Sequence, residues 1–192
     1  INNNPLPGVT ISVLSHPEFG QTLSRADGMF DMAVNGGGDL IVDYAKSGYL
    51  PIQRQINVPW QDYALAPDAV MIQLDPNVTT IALANTSTIQ MAHGSVITDS
   101  DGTRQATLLF NPGTTSQMIM PDGSTQPLTS LNIRATEYTV GSDGIKAMPA
   151  ELPQTTGYTY AVELSADEAI AAGAKTLEFT RPVYFYIENF IN

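Results

Sequence analysis

The residues best suited to acid–base chemistry in this chain are its two histidines. His16 lies in the segment SHPEFG, two positions before Glu18, and a histidine beside a carboxylate can exchange protons near neutral pH. Pro17 stands between them and favours a rigid turn over a catalytic pair. His93 precedes Gly94, which is typical of a turn. No nucleophile, base and orienting group come together in the sequence, so we predict no catalytic residue and no enzyme.

The acidic segment DSDG, at residues 99–102, is similar to the start of a calcium loop. An EF-hand needs further oxygen ligands and a glutamate at its twelfth position, and counting from Asp99 that position is Phe110. We therefore predict a hairpin turn here, with calcium held by several turns together as the alternative. The chain has no cysteine, which excludes disulfides and zinc–thiolate sites. We predict no metal site and no cofactor.

A third candidate is the glycine-rich segment NGGGD at residues 35–39. It carries no lysine and no helical pattern follows it, so it is a poor phosphate-binding loop. No Walker A, nucleophile-elbow or dinucleotide-binding motif is present either. The segment stands between strand-like runs, and we predict a second turn.

The overall charge narrows the classes of partner. The 192 residues include 19 acids and 8 bases, for a net charge of −11. A nucleic-acid binder needs cations that replace phosphate counterions, so we predict no nucleic-acid partner. No stretch of about 18 apolar residues occurs, and we predict no membrane insertion. The first residues, INNNPLPG, have neither a basic start nor an apolar run, so they contain no signal peptide.

The elements that must position these residues are strands. Short alternating runs recur along the chain, separated by Asp-Gly and similar turn signals at 27–28, 99–102, 121–123 and 142–144. In MFDMAV, residues 29–34, we expect Phe30, Met32 and Val34 to form the core face. One segment predicts a helix, SADEAIAAGA, with Ser165 as N-cap, Glu168 completing a capping box and a stop at Gly173.

The composition changes after the sequence Asp75-Pro76, where serine, threonine, asparagine and glycine become common. This change predicts a domain boundary between Leu74 and Thr80. We therefore predict an all-β protein of two tandem β-sandwich-like domains, residues 1–76 and 77–192, with one short helix near Ser165–Ala172.

Two aromatic groups are candidate interaction sites. The strand VYFYI places Tyr184 and Tyr186 on one face and Val183, Phe185 and Ile187 on the other, and Phe190 follows. Such a strand either lies in a two-sided core or turns one face towards another domain. In the segment VPWQDY, Trp60 is expected to pack at the domain junction. The alternative is a sugar-stacking platform formed by Trp60 and Tyr63, and the exposure of Trp60 separates the two hypotheses.

The segment quoted next carries a resemblance to a known family. PLPGVTISVL, followed by TLSRADGMFDMAVNGGGDLIVDYAKSGYLP, resembles a carboxypeptidase regulatory-like, or transthyretin-like, β-sandwich. More narrowly, HPEFGQTLSRADGMFDMAVNGGGDLIVDY and VPWQDY resemble the corresponding segment of teneurins and bacterial Rhs/YD-repeat proteins, over about residues 5–74. The later segment from Lys146 to Asn192 is similar to the one that follows it in the bacterial members.

The resemblance implies structural roles. It implies a spacer for the first domain and, for the second, a fibronectin-like plug that closes the YD-repeat shell of the same polypeptide, whose cavity in some relatives encloses a toxic domain. Such proteins are exported or lie at the cell surface, and these modules bring no catalytic residues with them. Tyr184, Tyr186 and Phe190 would form the contact with the shell. A carbohydrate- or calcium-dependent adhesion module is the alternative.

One departure from the family pattern predicts a further partner. Members of the regulatory-like class usually begin with a strand before the PLPGV turn, whereas this sequence starts at Ile1, just upstream of that turn. We therefore expect the first strand to be absent from this sequence: either the sequence is a fragment cut after that strand, or an edge of the sheet is left open. Open edges pair with other chains, so a homodimer is possible.

Overall fold

The computed structural model describes residues 4–83, 87–139, 144–150 and 160–188. The strands within these ranges are β1 Thr10–Val13, β2 Gln21–Leu23, β3 Gly38–Ala45, β4 Ile52–Val58, β5 Thr79–Ala82, β6 Gln90–His93, β7 Ile97–Asp99, β8 Gly102–Arg104, β9 Ala106–Phe110, β10 Ser116–Ile119, β11 Thr125–Leu128, β12 Ser130–Glu137, β13 Val162–Ala166, β14 Thr176–Phe179 and β15 Val183–Ile187. The helices are α1 Gly144–Ala147 and α2 Asp167–Ala172, and Pro17–Phe19 forms a single 3₁₀ turn. The predicted all-β, sandwich-like class is confirmed.

The chain forms two compact units that interleave along the sequence. The first comprises Ile1–Leu74 and Tyr138–Ala161, and the second comprises Asp75–Glu137 and Val162–Asn192. The sequence predicted two consecutive domains, 1–76 and 77–192, and so assigned Tyr138–Ala161 to the second. We call this segment, which leaves the second unit and returns to the first, the excursion. A composition change along the chain does not reveal where a later segment packs. The excursion clusters with the first unit because its Tyr138 and Met148 share a small core with Leu50.

The first unit is built on one antiparallel sheet in the order β2-β1-β3-β4. Its core includes Ile11, Tyr44 and Ile52, contributed by three of the four strands. Phe30 and Met32 pack against this core as predicted, and the rings of Phe30 and Tyr44 meet edge to face with centroids 5.8 Å apart. Residues 29–34, predicted as a strand, do not form one, because they pair with no strand of the described chain. Their side chains still alternate between exposed and half-buried positions.

A buried arginine ties the excursion to the sheet of the first unit. Arg54 lies on β4 and donates hydrogen bonds to the carbonyl oxygen of Met148, over 2.9 Å, and to that of Lys146. These carbonyls lie at the C-terminal end of α1, where a cation is favourable because the last carbonyls of a helix have no partner in the helix. The backbone N–H of Gln53 also donates to Pro149 O over 2.8 Å.

The second unit contains three three-stranded sheets, ordered β11-β10-β14, β13-β12-β5 and β15-β9-β6, and the hairpin β7-β8. Side chains from the last two of these sheets form one core. It includes Ile81, Leu108, Phe110, Leu131 and Ile133, all buried. The two sheets therefore pack face to face, each contributing alternate residues to the interior.

The predicted helix is present but begins later than expected. Ser165 lies in β13, Ala166 is the N-cap, and no side chain caps the helix, so the predicted capping box is wrong. Glu168 instead accepts a hydrogen bond from the backbone N–H of Asn132, over 2.9 Å. Because the Glu168 carboxylate is bonded to β12, it does not accept the N-terminal hydrogen bond that the predicted capping box required. The predicted stop is confirmed, since Gly173 adopts the left-handed conformation with φ 63°.

Candidate interaction surface

The candidate surface is the outer face of the sheet β15-β9-β6. Strand register places Tyr184 opposite Leu109 and Leu109 opposite Met91, so the three side chains form one row across the sheet. Tyr186 heads the next row on this face, with Thr107 and His93. We call these six residues the tyrosine face. Its inner counterpart carries Leu108 and Phe110, which are buried in the core, and this burial fixes which face is outermost.

Three of the six side chains of the tyrosine face are open to solvent, and the other three are partly buried. Tyr184 is 55 % and Tyr186 57 % exposed, and Met91 is similarly exposed. A core strand buried on both sides is therefore not what the structure shows. The alternation predicted from the sequence for Tyr184 and Tyr186 is correct. Phe190, the third predicted contact, lies outside the described residues. Met91 was not predicted, because only the register of three strands places it in the same row as Tyr184, with Leu109 between them.

The loop that follows β4 carries a second exposed aromatic group. Trp60 is 68 % and Tyr63 96 % exposed, and Leu65 is also almost fully exposed. The turn between Trp60 and Tyr63 is unusual because Gln61 has a positive φ of 55°. The packing of Trp60 at the domain junction stays a prediction, and the ring is exposed as the first unit presents it. By the criterion set from the sequence, its exposure favours the stacking platform.

The histidines form no catalytic arrangement among the described residues. His16 Nδ1 lies 2.8 Å from Glu18 Oε1, and the His16 ring stacks on Phe19 with centroids 5.0 Å apart. The hydrogen bond to His16 lowers the pKa of Glu18, which makes that carboxylate a weaker base. Both side chains lie on an exposed 3₁₀ turn, as Pro17 predicted.

His93 was expected in a turn, and that prediction is wrong. It is the last residue of β6, and its Nδ1 lies 3.0 Å from Thr107 Oγ1 on the neighbouring strand. Gly94 follows the end of β6 and does not form a hairpin turn. A Cβ at this position would lie 2.7 Å from the backbone oxygen of Ala135. The glycine therefore permits close packing of two backbones.

A buried ion cluster in the second unit was not found from the sequence. Asp99 and Gly102 pair at the end of the β7-β8 hairpin, which confirms the predicted turn. Arg104 donates from Nη1 and Nη2 to the two carboxylate oxygens of Asp99, both over 2.8 Å. It also donates from Nε to Glu137 Oε1 over 2.7 Å. The arginine two residues after the turn was the available signal, because the hairpin register places Arg104 opposite Ile97 and so on the same face of the hairpin as Asp99.

These contacts concern the alternative that Asp99 binds calcium. Both oxygens of Asp99 are engaged by the guanidinium of Arg104. Among the described residues, no group of three histidine, aspartate or glutamate side chains is placed to hold a metal ion. Likewise, none of the helices in the described ranges is long and apolar enough to cross a bilayer.

Comparison with known proteins shows which domain the first part of the chain is similar to. Residues 1–71 match the family model of the teneurin TTR-like domain. Over 71 residues the chain is 37 % identical to teneurin-1 of Homo sapiens, over 70 residues 36 % identical to teneurin-3 of Mus musculus, and over 66 residues 38 % identical to teneurin-m of Drosophila melanogaster. These alignments cover 37 %, 36 % and 34 % of this chain.

The first part of the chain is thus similar to the teneurin TTR-like domain, as the motifs in residues 5–74 indicated. The matched segments span only 3 %, 3 % and 2 % of the three relatives, which are much longer animal proteins. The resemblance of the second unit to a plug, and the bacterial membership, stay predictions.

Proposed function

We propose that this chain is a non-enzymatic structural part of a large YD-repeat protein of the cell surface or the extracellular space. In this proposal the first unit is a spacer, and the second caps the YD shell of the same polypeptide. The observation that carries it is the match of residues 1–71 to the teneurin TTR-like domain. The exported location follows from the same resemblance.

The tyrosine face is the proposed contact with the shell. Tyrosine is enriched at interfaces because its ring buries a large area while its hydroxyl keeps a polar partner. Tyr184 and Tyr186 stand on a sheet whose inner side is anchored in the core, so they present a preformed surface. Such a surface loses little conformational entropy on binding.

The test is limited proteolysis of the intact polypeptide carrying Tyr184→Ala and Tyr186→Ala together. We expect faster cleavage of the shell, since the cap would detach more readily. Tyr63→Ala is the control, because it removes an exposed tyrosine of the first unit, outside the tyrosine face. Unchanged protease resistance of the double variant would contradict the proposed contact.

A second candidate function is supported by the exposure of Trp60. The loop with Trp60 and Tyr63 offers two solvent-facing rings for stacking on a sugar, as in a carbohydrate- or calcium-dependent adhesion module. Trp60 is the only tryptophan, so fluorescence excited at a wavelength that tyrosine does not absorb reports on this loop alone. We expect a glycan array, read with and without calcium, to yield a sugar that shifts this fluorescence. Tyr63→Ala should weaken that response and leave shell cleavage unchanged.

Self-association through an open edge is the remaining partner proposal. In the described first unit, β2 is an outer strand of the sheet and pairs with β1. A second copy would add its own strand beside β2. Because each copy carries a charge of −11, dimerisation should strengthen with salt. Sedimentation at low and high ionic strength measures this, and a monomer under both conditions would refute it.

A further inference from the structure

An apolar groove of about 640 Å³ opens along one side of the second unit. Its floor includes the core residues Leu108, Phe110 and Ile133, and its rim includes Leu164 and Ile170. Leu164 is 42 % exposed although it lies opposite the buried Ala135, so it belongs to the inner face of its sheet. The groove therefore exposes part of the face that elsewhere forms the core.

The groove lies between the outer strands of two sheets, and α2, β14 and the segment that joins them also line it. β13 contributes four consecutive residues to the wall, 163–166, and β15 contributes Val183 and Phe185. Within the described part of the chain, β13 pairs with β12 and with no other strand. Its outward backbone groups therefore border the groove. An apolar floor beside such a strand edge is the arrangement that accepts an added strand.

Glu163 and Ser165 alternate with Leu164 along β13, so their side chains face away from the apolar floor and would neighbour the outward-facing residues of an added strand. These two side chains indicate the polarity of the occupant. The hydroxyl of Ser165 is buried without a hydrogen-bond partner. Burial raises the pKa of Glu163, because the carboxylate is partly removed from water. Lys175 also lines the groove. An added strand whose outward-facing side chains bring hydrogen-bonding groups and a positive charge beside Glu163 would satisfy these two residues better than a hydrocarbon would.

The charge of the chain distinguishes between a second copy and another partner. Every copy carries a net charge of −11, so inserting a strand from a second copy brings like charges together. A neutral or basic segment meets no such repulsion. Charge complementarity therefore favours a segment of different composition from this chain.

We propose that the groove between β13 and β15 is a strand-acceptor site. It binds an extended, non-acidic peptide segment as an additional strand on β13, with alternate apolar side chains on the floor formed by Leu108 and Phe110. This inference is independent of the proposed contact with the shell, because the tyrosine face lies on the opposite side of the sheet from this floor.

The test is a titration of the 192-residue chain with a short peptide of alternating valine and threonine, flanked by lysines. Backbone amide resonances and their hydrogen exchange are followed by NMR. We expect shifts and new protection at amides of Val162–Ala166. Replacing the peptide's valines by serine should abolish binding, because the apolar side chains are lost. Methylating alternate backbone nitrogens of the peptide should abolish it in one of the two possible registers, because that edge can no longer pair with β13.

Protein variants sharpen the test. Leu164→Asp places a charge on the apolar rim and should weaken peptide affinity roughly tenfold or more. Ile170→Asp, on α2, tests the same rim from another element. Both side chains are partly exposed, which limits damage to the fold. Tyr184→Ala on the tyrosine face is the control and should bind the peptide normally.

Several outcomes overturn the inference. Binding by the serine peptide, or unimpaired binding by both methylated peptides, would mean that no strand is added. Protection that maps away from β13 would place the site elsewhere. If β13 becomes protected without peptide as protein concentration rises, a second copy is the occupant, and the assignment to a different partner is wrong.

Discussion

Arg104 and Glu137 form an ion pair inside the second unit, where Nε donates to Oε1 over 2.7 Å and the side chains are only 1 % and 6 % exposed. The pair joins the β7-β8 hairpin to the end of β12. Asp99 completes the cluster, and hydrogen bonds to it, followed by those to Glu137, raise the pKa of Arg104 further above its already high ordinary value. The guanidinium is therefore charged at every accessible pH.

The first prediction follows from this cluster. Arg104→Gln leaves two carboxylates without their counter-ion and should lower the free energy of unfolding by about 3–5 kcal/mol. Glu137→Gln should cost less, because Asp99 still compensates Arg104. Arg134→Gln is the control, since Arg134 pairs with Asp167 in a more exposed position. Calorimetry of the three variants measures the order, and equal losses would show that burial of the cluster does not matter.

The triple glycine gives a second prediction, because its positions differ in their surroundings. A Cβ at Gly36 would lie 2.0 Å from Pro59 O, whereas one at Gly38 would meet nothing within 4 Å. Gly36→Ala should therefore destabilise the first unit by about 1–3 kcal/mol. Gly38→Ala should change stability by less than about 0.5 kcal/mol. Urea unfolding compares the two, and a neutral Gly36→Ala would contradict the close approach.

A third prediction concerns Arg54. Lysine cannot reproduce a planar fork with several donors, so Arg54→Lys should lose the bonds to Met148 and Lys146. We expect a loss of about 2 kcal/mol, the usual range for buried hydrogen bonds from a charged donor. Exchange of the Gln53 amide, which donates to Pro149 O, should quicken because the excursion is held less firmly. Arg25→Lys, in an exposed ion pair, is the control and should leave that exchange unchanged.

A fourth prediction uses the pKa of Glu163, which burial raises. The folded state then binds this proton more tightly than the unfolded state does. Its stabilising effect is complete below the ordinary glutamate pKa and is lost as the pH rises through the higher pKa of the folded state. Glu163→Gln imitates the protonated form, so it should raise the free energy of unfolding at pH 7 and have little effect below about pH 4.

The matched control for this pH dependence is Glu178→Gln. Glu178 lies exposed on β14, where its carboxylate accepts a hydrogen bond from Gln117. The Glu178→Gln variant removes one negative charge from the same unit, but the charge that it removes is exposed and not buried. Urea unfolding at both pH values should show no gain at pH 7 for this variant. A gain as large as that of Glu163→Gln would assign the effect to net charge alone.

Local pattern was enough to predict several parts of this protein. The alternation of apolar residues determined the all-β class, the core face with Phe30 and Met32, and the common face of Tyr184 and Tyr186. The Asp-Gly pair at residues 101–102 determined a hairpin, and Gly173 the end of α2. Each of these features depends on contacts within a few residues or on the two-residue period of a strand, and both are visible in the chain itself.

The tertiary structure decided what distant segments do to one another. Arg54 reaches the carbonyl of Met148 across 94 positions, and this contact helps place the excursion in the first unit. Met91 meets the row of Tyr184 only through the register of β6, β9 and β15. The groove along β13 exists because the outer strands of two sheets border it. Periodicity along the chain carries no information about which strands become neighbours, and the partner surfaces proposed here depend on those neighbours.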